Sequence, residues 1–334
     1  MYKTVKVSEL RDLTVRILTA AGETEENALL VFENLLEDEY MGKSSHGFYR
    51  IPAIARYSRS RKERTDLNIS INDNVISVDG CQNLSFVAVK KACDSIVELA
   101  KTKSVIIAGV HNYVGETTGA LGYYTRFLAR SGLISMMFCR ASASVAPYGG
   151  MEPHIGTNPI SFAIPAADSP VVCDVSTAGI SYGKLAILAK SGEQAPENVI
   201  LNKDGYPTTD PLDMIERGGT QLPLAGHKGY ALGIASEILA GLVVGAQSGN
   251  GEGIPEGTDG TLIIAFKPDL FIGAETFTLN MDAFLTEIKN AKPAPGSSGV
   301  RIPGQYDTEE YKAKKASGEI TLLTEVYNDM LACL

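Results

Sequence analysis

The sequence predicts an α/β protein in which a helical lobe precedes a core of alternating short strands and helices. Two observations carry this. Over the first forty residues the apolar positions recur every three or four, as on one face of a helix. Further on come short apolar runs bounded by turn residues, "SVIIAGV", "LISMMFC", "PISFAIP", "PVVCDVS" and "TLIIAF", which read as buried strands.

The elements follow in order. Ser8 to Ala21 carries an apolar stripe at Leu10, Leu13, Ile17 and Leu18 and stops at Gly22. Thr24 caps a second helix with Glu25 and Glu26 in its first turn and Ala28, Val31, Phe32 and Leu35 inward. "SSHGFYRIPAIARY", residues 44–57, follows, with Pro52 expected at a kink or an early turn. After "NISINDNVISVDG", read as short strands and turns, "SFVAVKKACDSIVELAKTK" and "TGALGYYTRFLARSG" read as helices around the strand "SVIIAGV". "HKGYALGIASEILAGLVVGA" is almost wholly apolar and is expected to be a long buried helix, with a subunit interface as one place to bury it. "QSGNGEGIPEGTDG" reads as a surface loop, "AKPAPGSSGVRIPG" as a Pro/Gly connector, and charged helices close the chain.

Composition narrows the function. The chain has 334 residues, 44% of them hydrophobic, with a net charge of −9 and no basic cluster, which argues against a nucleic-acid surface. No run of 18 apolar residues occurs and "MYKTVKVSEL" lacks the apolar centre of a signal peptide, so no membrane association and a cytoplasmic location are expected. Five scattered cysteines in apolar surroundings read as reduced thiols, and four dispersed histidines without nearby cysteines give no zinc pattern, so no metal is expected.

Motif tests exclude the commonest nucleotide folds. There is no G-x-G-x-x-G between a strand and a helix, and "GISYGKL" has neither the spacing nor the Ser/Thr of a phosphate-binding loop. "YKAKK" has a Tyr-x-x-x-Lys spacing but sits in a charged terminal segment and reads as a solvated helix face.

Four stretches remain. His46 and Arg50, four apart, suit one helical turn, where an imidazole moves a proton while a guanidinium grips a carboxylate; alone they read equally as a surface turn. "VAPYGGMEPHIGTNP" permits close backbone approach at Gly149, Gly150 and Gly156. "CDVSTAGISYGK" sets Asp174, Ser176 and Thr177 at a strand end. "LPLAGHKGYAL" sets His227 and Lys228 at a helix start suited to a pyrophosphate. Each alone is also an ordinary turn or cap.

Together, "SSHGFYRIP", "APYGGMEPHIGTNPISFAIP", "CDVSTAGISYGK", "LPLAGHKGYAL" and "RIPGQ" resemble, in order and spacing, the malate/L-lactate dehydrogenase family, over nearly the whole chain. "KPAPGSSGVRIPGQ" is most similar to its ureidoglycolate dehydrogenase members. The resemblance implies a malate/L-lactate dehydrogenase-like fold with a mainly antiparallel, non-Rossmann cofactor-binding sheet and a helical lobe. It also implies a homodimer using NAD or NADP on a small carboxylate substrate, with the active site between the lobes. On this chain the resemblance puts the proton donor at His46, the substrate-carboxylate arginine at Arg50 and a further site residue at Ser45. It puts the adenosine and pyrophosphate contacts at Asp174, Val175, Ser176, His227, Lys228, Gly304 and Gln305. Asp174 and "PGQ" tilt the cofactor toward NAD. The expected division is a helical lobe over 1–75, a cofactor-binding domain over 76–290, and a C-terminal segment over 291–334 returning to the helical lobe.

Two positions depart from the family pattern. The turn that usually carries a second catalytic histidine reads "VHNYVGETTGALGYY", placing Gly115, Glu116 and Thr117 in that slot and suggesting Tyr113 or Glu116 as pocket residues. The serine expected before "VAPYGG" is Ala141, with Ser142 beside it as the replacement cofactor contact. The reaction expected is hydride transfer between nicotinamide and a 2-oxo/2-hydroxy acid, with His46 titrating near neutrality. Reduction of cyclic 2-carboxy imines and a non-catalytic dinucleotide-binding role are the alternatives.

Overall fold

The apolar stripes of the first forty residues fold as two packed helices. A computed structural model describes residues 1–61, 65–115, 117–249, 259–297, 299–304 and 308–334. Strand β1 (Tyr2–Lys6) leads into α1 (Val7–Ala20), which buries Leu10, Leu13, Ile17 and Leu18. In α2 (Glu25–Tyr40) the Thr24 hydroxyl accepts the N–H of Asn27 at 3.1 Å, a cap that starts the helix where the sequence places it.

The next stretch departs from expectation. His46 and Arg50 lie on two successive 3₁₀ turns, Ser44–His46 and Phe48–Arg50, and α3 (Ile51–Ser60) begins only after them with Pro52 in its first turn. The extended backbone of Gly47, φ −86° and ψ −150°, separates the turns, and the Glu39 carboxylate fills the space a Cβ would need there and accepts the N–H of Phe48 at 3.1 Å.

The chain then builds the sheet. Strands β2 (Asn68–Asn72) and β3 (Val75–Asp79) precede α4 (Ser85–Leu99), β4 (Val105–Tyr113), α5 (Leu121–Arg130), β5 (Ile134–Cys139), β6 (Ile160–Ile164) and β7 (Val171–Val175). Helix α6 (Tyr182–Ser191) leads to a small sheet of β8 (Ile200–Leu201), β9 (Pro207–Thr208) and β10 (Thr220–Gln221), with α7 (Pro211–Ile215) between the last two. After α8 (His227–Glu237) and a π-helical turn at Ile238–Leu242, β11 (Asp259–Phe266) enters the large sheet. Helices α9 (Ala274–Lys289) and α10 (Thr308–Ser317), strand β12 (Glu319–Leu323) and α11 (Thr324–Leu331) close the chain.

The seven-stranded sheet has the order β2-β3-β4-β11-β5-β6-β7. Among the described residues its strands pair antiparallel except for β3 with β4, so the sheet is mainly antiparallel. Helices α4 and α5 cover one face and bury Phe86, Val89, Ile96, Tyr124 and Leu128. β12 pairs with β1 from Tyr2 opposite Leu323 to Lys6 opposite Glu319, and Leu322, Tyr327 and Met330 join the core of α1 to α3. The chain's end thus carries a strand where charged helices alone were expected.

The segment expected as one long buried helix is shorter as an α-helix than expected. It is α-helical only to Glu237 and then widens into the π turn. In the single chain Leu232, Ile238, Leu242 and Val243 are 49%, 44%, 62% and 62% exposed, so this subunit does not bury it. Among the described residues no helix is long and apolar enough to cross a membrane, and the five cysteines are free thiols.

Candidate active site

The two 3₁₀ turns hold His46 and Arg50 at the wall of a cleft of about 490 Å³ between the helical lobe and the sheet. Arg50 is buried, and its Nε donates to the Ser45 carbonyl at 2.9 Å, which fixes the guanidinium toward the cleft. Ser45 Oγ lies 3.1 Å from His46 Nδ1, setting the ring's orientation and leaving its far side to the cleft. On the α6 side the backbone of Gly183 closes against this pair. A Cβ there would sit 2.6 Å from Arg50 Nη2 and 2.7 Å from the Ser45 carbonyl oxygen. A cavity of about 330 Å³ lies behind the Ser44–Ser45 turn but contains neither His46 nor Arg50.

Burial first, and then the Arg50 guanidinium, push the His46 imidazole from its ordinary 6.5 down to about 4, against the pull of the Asp174 carboxylate. The expectation that His46 titrates near neutrality therefore fails for the ligand-free protein: at pH 7 the ring is neutral, a base rather than an acid.

Asp174, at the end of β7, faces the helical lobe. Its Oδ2 accepts from Lys43 Nζ at 2.7 Å and from the Gly122 N–H at 3.1 Å. Burial works against the Lys43 charge, but the carboxylates of Asp174 and Asp38 outweigh it and raise its pKa. Buried Asp38 accepts the N–H of Ala120 at 3.1 Å, and desolvation lifts its carboxyl to about 8. Glu39 is lifted by burial to about 7. Lys43 and Asp38 carry no motif, and their partners lie up to 131 residues away, so the sequence alone gave no sign of this cluster.

The three glycine-bearing stretches come together on one surface. Leu224 N donates to Thr177 O at 2.9 Å, Thr177 N donates to Thr157 O at 3.0 Å, and Ala146 N donates to Gln221 O at 3.0 Å. The Tyr148 ring meets His227 edge-on at 6.1 Å. His227 and Lys228 are exposed at the N-terminus of α8, where Gly226 holds φ at +64° and no side chain caps the helix. Val175 is exposed, whereas the Ser176 hydroxyl is spent on Thr157 O at 3.1 Å and on the N–H of Ala178 at 3.0 Å. Gly304 packs backbone to backbone against Val172 of β7, two residues before Asp174, and Gln305 lies outside the described residues. Ser142 lines the cleft itself, as do Ser144 and Thr157, which joins the His46 cleft to this surface.

The altered turn contributes Gly115, Thr117, Thr118 and Gly119 to the cleft wall, and Glu116 lies outside the described residues. Tyr113 is not a pocket residue. Strand alternation turns it inward, and its hydroxyl meets Thr261 Oγ1 at 2.9 Å in the core. His111 stays on β4 opposite Asp79 and does not replace the missing histidine. Arg140, in the cleft wall beyond β5, belongs to no motif, and a charge directly after the apolar run "ISMMFC" is the one sequence signal that marks it.

A histidine oriented beside a fixed arginine thus lines a cleft whose wall also carries Ser142, Ser144 and Thr157. The model of the malate/L-lactate dehydrogenase family matches residues 5–331. The malate/(S)-sulfolactate dehydrogenase of Methanothermus fervidus is 34% identical over 94% of this chain and 92% of its own. The NAD(+)-linked ureidoglycolate dehydrogenase of Escherichia coli is 28% identical over 97% and 93%. A dehydrogenase structure from Sinorhizobium meliloti superposes with a TM-score of 0.91 at 29% identity, covering 100% of this chain and 98% of that one. The chain belongs to the malate/L-lactate dehydrogenase family.

Proposed function

We propose that the cleft interconverts a small 2-oxo acid and its 2-hydroxy acid with NAD or NADP, His46 exchanging the proton at the substrate oxygen and Arg50 holding the carboxylate. The observation that carries this reading is the convergence of His46 and Arg50 on one cleft wall through Ser45, whose hydroxyl orients one and whose carbonyl anchors the other.

The chain's own residues divide the work. Arg50 pairs with the carboxylate and aligns the neighbouring carbon with the imidazole. In the oxidising direction neutral His46 accepts the hydroxyl proton. In the reducing direction the bound carboxylate offsets the Arg50 charge that depresses the imidazole, so substrate binding itself favours the protonated donor. The α8 N-terminus with His227 and Lys228, beside Val175 and the edge of β7, fits a pyrophosphate, because its first N–H groups lack a side-chain cap and its field favours an anion. Ser142 supplies a hydroxyl where this surface enters the cleft. Asp174 acts from the lobe junction, and Gly304 keeps the connector close against β7. The nicotinamide cofactor, when bound, supplies or accepts the hydride.

The helical lobe of 1–75, the cofactor-binding part of 76–290 and the returning segment of 291–334 are the units of this reading. The exposed apolar side chains of α8 and its π turn form a face suited to a second copy of the chain, which makes the working species a homodimer acting in the cytoplasm. NADH and NADPH oxidation by purified protein against a panel of 2-oxo acids and cyclic imines tests the reading. Turnover of 2-oxo acids supports it, and cofactor binding without turnover of any member counts against it.

A further inference from the structure

The cleft is electrostatically lopsided. Arg50 stands at one part of its wall, and the hydroxyl-bearing residues Thr117, Thr118 and Ser144 lie elsewhere in the lining. Arg140 and Asp259 form a third part. Arg140 is ion-paired twice: Nε lies 3.3 Å from Glu237 Oε1 and Nη1 2.8 Å from Asp259 Oδ1, while Nη2 donates to Gly249 O at 2.9 Å. Glu237 also accepts from Asn158 Nδ2 at 2.6 Å and from the Gly249 N–H at 2.9 Å. All three charged side chains are more than four-fifths buried. Two carboxylates thus face one guanidinium, and this wall carries an excess of negative charge. Desolvation lifts Asp259 to about 6 against the Arg140 charge, with a smaller contribution from Glu237. Among the described residues lining the cleft, Arg50 and Arg140 are the guanidinium or ammonium groups, and the Arg140 charge is already countered by Asp259 and Glu237.

A substrate carboxylate on Arg50 therefore leaves the rest of the molecule facing hydroxyls and an anionic wall. A second anionic group there would be desolvated without a counter-charge and repelled by Asp259. An amide or hydroxyl would find partners instead. We propose that the cleft selects monoanionic 2-oxo and 2-hydroxy acids with an uncharged polar side chain and excludes their dianionic counterparts. The proposal rests on the assignment of Arg50 as the carboxylate clamp, and it separates this chain from relatives named for malate and sulfolactate.

Malate and malamate differ in little but one charge, and their calorimetric binding to the NADH-loaded protein at neutral pH reads the selection without turnover. Malamate is expected to bind at least about tenfold tighter. Equal or tighter binding of malate, or no binding of either, overturns the proposal. Reduction of 2-oxosuccinamate against oxaloacetate is measured in parallel. If malamate wins but neither oxo acid is turned over, selectivity stands and the reductase assignment falls. Asp259→Asn is expected to narrow the malamate preference to about threefold or less; an unchanged preference in the folded variant overturns the role given to Asp259. Should that variant not fold, the wild-type ratio alone decides.

Discussion

His46 shows how one side chain's surroundings decide which way a reaction is set. Burial and the neighbouring Arg50 hold the imidazole neutral down to about pH 4, so the free enzyme is poised as a base. Oxidation of the 2-hydroxy acid should keep its kcat/KM from neutrality down to about pH 5 and lose it only as the pH falls through about 4. Reduction needs the protonated ring and should gain kcat/KM as the pH drops across the same range. A pH–rate profile with an oxidation limb between about 6 and 7 would mean the ring is solvated and near its ordinary value. Gly183→Ala tests the other half of the pair. The added methyl meets the Ser45 carbonyl, which is backbone and cannot swing aside, so Arg50 must shift. KM for the acid should rise about tenfold or more, with cofactor affinity unchanged; an unchanged KM would show that the clamp does not depend on this contact.

At the level of elements, the junction between α2, the Ser44–His46 turn and β7 is held by a charge cluster rather than by apolar packing. Asp38 keeps its proton to about pH 8 in the folded protein, whereas an unfolded chain releases it near 3.8. The folded state therefore holds more protons across that window, and stability falls as the pH rises through it. Glu39, lifted to about 7, acts in the same direction. Asp38→Asn removes the larger of these penalties while keeping an oxygen for the Ala120 N–H. Its Tm relative to wild type should climb by roughly 2–4 °C or more between about pH 5 and pH 8.5; a difference independent of pH would show that Asp38 is ionised in the fold. This junction also marks where sequence reading stops. The stripes of α1 and α2 and the alternation of β4 are local patterns, legible because burial follows a fixed period. Lys43 with Asp174, and β1 with β12, are pairings across more than a hundred residues with no periodic signature, and the mostly exposed "YKTVK" of β1 does not look like a strand at all. His46 and Arg50 are legible as a pair, but through a single helical turn that the extended backbone at Gly47 interrupts.

In the molecule as a whole, the lobes meet at the cleft while an apolar face remains outside. Leu242 and Val243, each 62% exposed, add to the exposed apolar side chains of Leu232 and Ile238. Leu242→Glu should turn a dimer into monomers by light scattering, and a wild-type monomer would refute the use proposed for this face. The described site residues that the resemblance scatters from 45 to 304 gather because the sheet sets β7 beside the stretch leading into α8 and the helical lobe brings His46 over Asp174. Gln305 and Glu116 were named from the sequence but fall outside the described residues. The most direct test of the central claim is the steady-state rate of nicotinamide oxidation with a 2-oxo acid for His46→Ala beside wild type, with NADH binding followed by fluorescence on both. The expected result is a fall in kcat of about 10²–10⁴ with the affinity for NADH unchanged. A variant that turns over at the wild-type rate would contradict it, and the proton would have to come from elsewhere in the cleft.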